Sequence, residues 1–152
     1  METTKMCWSN DLGKLLLRLT VGGLMLCHGI HKIQTGVDWM TPMLQAHNLP
    51  DAVRYGVYCG EVLAPGLIIL GFFTRLGAVI LAINMIMAVW LAHANDLLKL
   101  DEMSGGWARE IDAWYLLGAV CIILLGAGRI SIDGLLRGRA DAPAPPPEPK
   151  SK

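Results

Sequence analysis

Residues 27–32 read Cys-His-Gly-Ile-His-Lys, so a thiol, two imidazoles and an amine fall within six positions. Groups of these types exchange protons near neutral pH, ligate metals or hold anions. A carboxyl, Glu61, lies inside a second apolar run. A charged residue near a bilayer centre costs roughly 2.5–3.5 kcal/mol, so such a group ordinarily faces the protein interior with a partner. Pro65 follows four residues later and has no N–H for the Glu61 carbonyl, so one position offers both a carboxyl and a freed backbone acceptor beside an expected kink. Gly56, Gly60 and Ala64 recur every four residues, a narrow face that admits a neighbouring helix. His28 and His31 form an i, i+3 pair that His93 could join, which raises metal chemistry. The spacing matches no strong zinc signature and no CxxCH haem attachment is present, so haem and metal are disfavoured. From the residues alone, bland roles stay open. Lys32 and His31 could anchor a helix end, His93 could cap carbonyls, and Glu61 could be a structural ion pair or a protonated carboxyl bonded to backbone.

These groups need elements to carry them. The chain has 152 residues, 53% hydrophobic and 17% charged, with no formal net charge. Soluble domains average about 25% charged residues, so the composition points to a membrane protein. The neutral balance gives no electrostatic reason to expect nucleic acid. Apolar runs cover Leu15–Ile30, Val57–Phe73, Leu76–Leu91 and Ile111–Ala127. With flanking residues, each approaches the ~17–25 residues that cross a hydrocarbon core as a helix. The expectation is an all-α, integral membrane four-helix up-and-down bundle. Thr74 and Arg75 form a tight hairpin between the second and third helices. In the first connection, Thr41 is the expected N-cap of a short surface helix with Pro42 at its first position. The chain divides into an N-terminal cytoplasmic stub (1–11), a bundle (12–135) and a Pro-rich, disordered cytoplasmic tail (136–152). Arg18 interrupts the first run and no small-x-small site follows, so a cleaved signal peptide is not expected.

Placing both termini in the cytoplasm puts Lys5, Lys14, Arg75, Arg129, Arg137 and Arg139 inside, against Lys32, Arg54, Lys99 and Arg109 outside. In that topology His28, His31, Lys32, Glu61, His93, Trp107, Glu110 and Asp112 gather toward one leaflet. Glu61 lies about 9 Å below Tyr55, a few ångströms in depth from His28 and within hydrogen-bond reach if their faces meet. Arg18 lies about 15 Å deeper than His28, where it snorkels inward or pairs with Asp133 or Asp11. Asn84 reads as interhelical glue. Of four cysteines, three (Cys27, Cys59 and Cys121) lie in apolar runs and read as small packed hydrophobes.

The order and spacing of these residues resemble the DoxX family of small four-helix bacterial membrane proteins. The resemblance covers residues 12 to 135. It is carried by Arg18; by HGIHK with His28, Gly29 and Lys32; and by Glu61 in GEVLAPGLIILGFFTRLGA. It continues through Glu110 and the closing GAGRISID with Gly126, Gly128, Ser131 and Asp133. The family takes its name from the small subunit of a thiosulfate:quinone oxidoreductase, and relatives are linked to membrane redox systems and to thiol or quinone stress. The resemblance implies a membrane subunit of a quinone-linked oxidoreductase in a bacterial inner membrane. His28 and Glu61 would then exchange protons with the head group. Lys32 or Arg54 would complement negative charge, Trp107 would stack on the ring, and His93 and Glu110 would complete the substrate site. Arg18, Gly60, Pro65 and Asp133 take structural roles. A quinone is the expected cofactor. The expected partners are the lipid bilayer, a membrane or soluble redox protein, and a second copy of the chain; the electron carrier is that partner protein or the bound quinone. The competing readings are a non-catalytic scaffold or anchor and a small-molecule or proton carrier.

Overall fold

A computed structural model describes residues 2–93, 99–101 and 105–140, with side chains over 8–92, 99–101 and 105–136. It is all α. Helix α1 (Glu2–Thr35) runs without a proline and ends where Gly36 turns left-handed at φ +78°, its N–H donating to the Lys32 carbonyl. The expected stub is thus helical from Glu2, because residues 2–11 contain neither glycine nor proline. A short helix, α2 (Thr41–Ala46), follows. Thr41 is its first residue rather than its cap: Met40 holds the N-cap position, and the Thr41 hydroxyl accepts a hydrogen bond from Arg54.

Helix α3 (Asp51–Leu70) changes pitch along its length. It is a 3-10 turn over Asp51–Tyr55, then α, then a π turn over Cys59–Leu63, then α again from Ala64. The π turn lies immediately before Pro65, the residue that cannot donate an N–H to the helix. Gly71 closes α3 at φ +70°, with the N–H groups of Gly71 and Phe72 donating to the Leu67 carbonyl. Helix α4 (Thr74–His93) begins directly after. Thr74 and Arg75 therefore form its first turn, and residues 71–73 make the hairpin. The carboxylate of Asp133 explains the shift. It accepts the N–H groups of Phe73 and Thr74 and the Thr74 hydroxyl, capping α4 from another segment.

In the third connection Leu100 pairs with Trp107 as an isolated antiparallel bridge. Helix α5 (Glu110–Leu125) is followed by glycine turns and α6 (Ile132–Ala140), whose cap is Ser131, its hydroxyl accepting the Gly134 N–H. Residues 136–140, expected in a disordered tail, are helical; residues 141–152 lie outside the described ones.

Each of α1 and α4 packs against both α3 and α5, the cyclic arrangement of an up-and-down bundle. Glycines set the close approaches. A Cβ at Gly29 would overlap the Glu61 carbonyl, one at Gly60 would overlap Asn84, and one at Gly118 would lie 2.7 Å from Val21. Among the described residues three helical spans, Trp8–Thr35, Asp51–Leu70 and Thr74–Ala92, are long and apolar enough to cross a membrane, and only 28–33% of their most apolar windows is buried in the protein. The remainder faces outward, as lipid-facing surface does. Helix α5 is more apolar than α4, but its 16 residues fall short of that length. Cys27, Cys59 and Cys121 lie on this outer surface rather than in the core, contrary to the packing expected of them.

Candidate functional site

At the end of the bundle away from the 71–73 hairpin, α1, α2, α3, α4 and α5 line a partly open cavity of about 400 Å³. Five of the eight methionines in the chain line it: Met25, Met40, Met43, Met85 and Met87. Unbranched, polarizable thioether chains adapt to the shape of what they contact. Helix α2 closes one wall. Its Leu44 is fully buried, and beside it His47 stacks on Trp90 of α4 at 4.5 Å. Arg54 pins this cover through Asp38 and Thr41, both at 3.0 Å.

The polar floor is built around Glu61, 4% exposed. Lys32 Nζ donates to Glu61 Oε1 at 2.5 Å, and Asn84 Nδ2 donates to the same oxygen at 3.4 Å. Tyr58 donates its hydroxyl to the Lys32 carbonyl at 3.3 Å, and the Lys32 ammonium lies 5.9 Å from the Trp39 ring centroid. The second carboxylate oxygen, Glu61 Oε2, is buried without a hydrogen-bond partner among the described residues. An ion pair in low dielectric is costly unless its remaining lone pairs are satisfied, so an orphaned oxygen beside a cavity invites a donor.

Of the residues singled out in the sequence, His28, Lys32, Gly56, Gly60, Glu61, Asn84 and Asp112 line this cavity. His28 is not among the hydrogen-bond partners of Glu61. Its Nδ1 donates to the Leu24 carbonyl at 3.0 Å, and its ring meets Tyr115 edge-on at 5.7 Å. Trp107 and Glu110 are exposed and do not line the cavity; Asp112 and Tyr115, further along α5, do. Arg54 is engaged by Asp38, Thr41 and Tyr55 and likewise lies off the lining. The side chain of His93 lies outside the described residues. Among the described residues no three His, Cys, Asp or Glu side chains converge as a metal-binding group.

Asn84 was legible only as glue, yet it is a direct partner of Glu61. The signal is positional: Glu61 lies ten residues before Gly71 and Asn84 ten after Thr74, so the hairpin brings them level. Tyr115 and the methionine lining carried no comparable mark.

The opposite end holds the other buried charge. Arg18, 2% exposed, donates to four carbonyls: Nε to Ile68, Nη1 to Ala127 and Ile130, and Nη2 to Ile69, at 2.7–2.9 Å. Its hydrogen bonds do not go to Asp11 or Asp133. Asp133 caps α4, and Asp11 accepts the Arg129 N–H. A Cβ at Gly71 would lie 2.5 Å from the guanidinium, so the left-handed glycine also makes room for it.

Comparison with known proteins agrees with this architecture. The DoxX family model matches residues 13–94. An uncharacterized membrane protein of Mycobacterium tuberculosis (strain ATCC 25618 / H37Rv), Rv3486, is 30% identical over 136 residues, covering 84% of this chain and 83% of its own. A Bacillus subtilis (strain 168) protein named "Putative oxidoreductase CatD" is 27% identical over 125 residues, covering 82% of this chain and 87% of its own. No solved structure matches the chain. With three spanning helices in an all-α bundle and this family match, the chain is a multi-pass membrane protein that belongs to the DoxX family.

Proposed function

We propose that this protein is the membrane subunit of a quinone-linked oxidoreductase and that the methionine-lined cavity receives the quinone head group. The observation that carries the reading is the Lys32–Glu61 ion pair, with its orphaned Oε2, in a mostly apolar cavity. An apolar pocket of about 300–1,000 Å³ with a few convergent polar groups is the usual form of a small-molecule site. The similarity to a relative named as an oxidoreductase supports the same chemistry. A bound quinone supplies reversible two-electron, two-proton chemistry.

The residues of this chain would then do four things. The Glu61 carboxylate accepts a proton at Oε2. The Lys32 ammonium pairs with Glu61 and offsets negative charge on a ligand oxygen. His28, through Nε2, passes protons between the cavity and the surface, where its ring is exposed. The methionine and leucine walls exclude water. As Glu61 takes a proton from the reduced head group, electrons would pass from it to a partner protein, and both would return in the reverse direction. We place both termini in the cytoplasm and the cavity toward the outer leaflet, on the strength of the Lys and Arg distribution.

The test is organic extraction of the protein purified from membranes, with quinone quantified in wild type, Glu61→Gln and Lys32→Met. Stoichiometric quinone in the wild type and loss in both variants supports the reading. Equal trace amounts in all three would refute it.

A further inference from the structure

We infer that this site takes the reduced, hydroxyl-bearing member of a quinone couple in preference to the oxidised one, an inference that rests on the quinone reading above. The argument is a count of donors and acceptors at the cavity floor. Glu61 Oε1 is occupied by Lys32 at 2.5 Å and by Asn84 at 3.4 Å. Oε2 is buried and accepts from no group among the described residues. As the anionic partner of the Lys32 ammonium, the carboxylate presents acceptors at both oxygens and a donor at neither.

An oxidised quinone presents carbonyl oxygens, which also only accept. Set against Oε2, such an oxygen would face a second lone pair and leave the orphan unsatisfied. A hydroquinone hydroxyl does the reverse. Its O–H donates to Oε2 while its oxygen accepts a remaining N–H of the Lys32 ammonium, so one hydroxyl engages both members of the pair. A site built to hydrogen-bond a ligand hydroxyl discriminates strongly against analogues that lack it, because its buried polar groups then go unpaired. The rest of the head group lies against Met25, Met85 and Tyr115 on the cavity wall, which contribute contact without telling the two forms apart.

Glu61→Gln makes the sharper test. Lys32 would hold the amide oxygen, turning the amide NH2 toward the ligand. The floor would then donate where it formerly accepted, and the preference should vanish or invert.

The experiment is anaerobic isothermal titration calorimetry of the full chain in detergent, with three probes: a decyl-benzohydroquinone, its dimethyl ether and the matching decyl-benzoquinone. The wild type should bind the hydroquinone about tenfold or more tighter than either other probe. In Glu61→Gln the hydroquinone should lose that advantage or fall behind the quinone. Equal wild-type affinities for hydroquinone and quinone overturn this inference while leaving the quinone site in place. Absence of binding by all three overturns both. A hydroquinone preference that persists in Glu61→Gln assigns the acceptor elsewhere and also overturns it. Should Glu61→Gln fail to fold, the wild-type contrast between the hydroquinone and its dimethyl ether decides alone, since the ether has the same ring without the donor.

Discussion

Arg18 and Glu61 are the two most buried charges among the described residues, 2% and 4% exposed, at opposite ends of one bundle. Their surroundings differ in kind. Arg18 meets four carbonyls from the ends of α3 and the turns after α5, groups that a helix terminus otherwise leaves without partners. Nearby, the side chains of Asp133 and Ser131 cap α4 and α6. Glu61 shares one oxygen with two donors, leaves the other unmatched, and lines a cavity. Buried polarity at the hairpin end fastens helices together, whereas at the cavity end it is arranged for something the chain does not itself supply.

Substitutions that treat the two ends alike sharpen the contrast. Arg18→Leu strips donors from four carbonyls and should cost about 3–5 kcal/mol, read as loss of monodisperse protein in size-exclusion chromatography. Arg18→Lys should rescue little, because a compact ammonium lacks the planar fork that reaches carbonyls on two segments. Gly29→Ala comes next. Its Cβ would overlap the Glu61 carbonyl, forcing α1 from α3 at a cost of about 1–3 kcal/mol and lowering the thermal midpoint together with quinone binding. Lys32→Met should weaken quinone binding about tenfold in calorimetry, with a smaller change in thermal midpoint than Arg18→Leu produces. Arg54→Ala loosens the α2 cover without touching the floor. The expected change is a few-fold faster ligand dissociation at an unaltered midpoint, measured by stopped-flow fluorescence.

The sequence made one end of this comparison plainer than the other. Glu61 stood out because a carboxyl in an apolar run has few places to go, and Lys32 because it closes the same cluster. The pairing was harder to read. Depth along the helices placed His28 nearest Glu61, but helical side chains lean toward the N-terminus, and the long Lys32 stem reaches back over the turn that His28 occupies. Trp107 and Glu110 were placed by their position at the start of α5. Which face of that helix turns inward is settled by packing, and the face that does carries Asp112 and Tyr115. The four-carbonyl partnership of Arg18 was illegible, since backbone acceptors leave no mark in a sequence. The bundle itself was legible from its apolar runs, while the exact hairpin was not, because the Asp133 cap that starts α4 comes from 59 residues away.

The most direct test is the thermal midpoint of wild type and Glu61→Gln, each with and without a saturating short-chain quinone or its reduced form. A ligand that binds the folded state raises the midpoint, and at about 100 times its Kd adds roughly 2.7 kcal/mol. A ligand-dependent rise in the wild type that shrinks or disappears in Glu61→Gln is the expected result. A large drop in the unliganded Glu61→Gln midpoint, with no ligand response in the wild type, would instead make Glu61 a fastener like Arg18 and contradict the account.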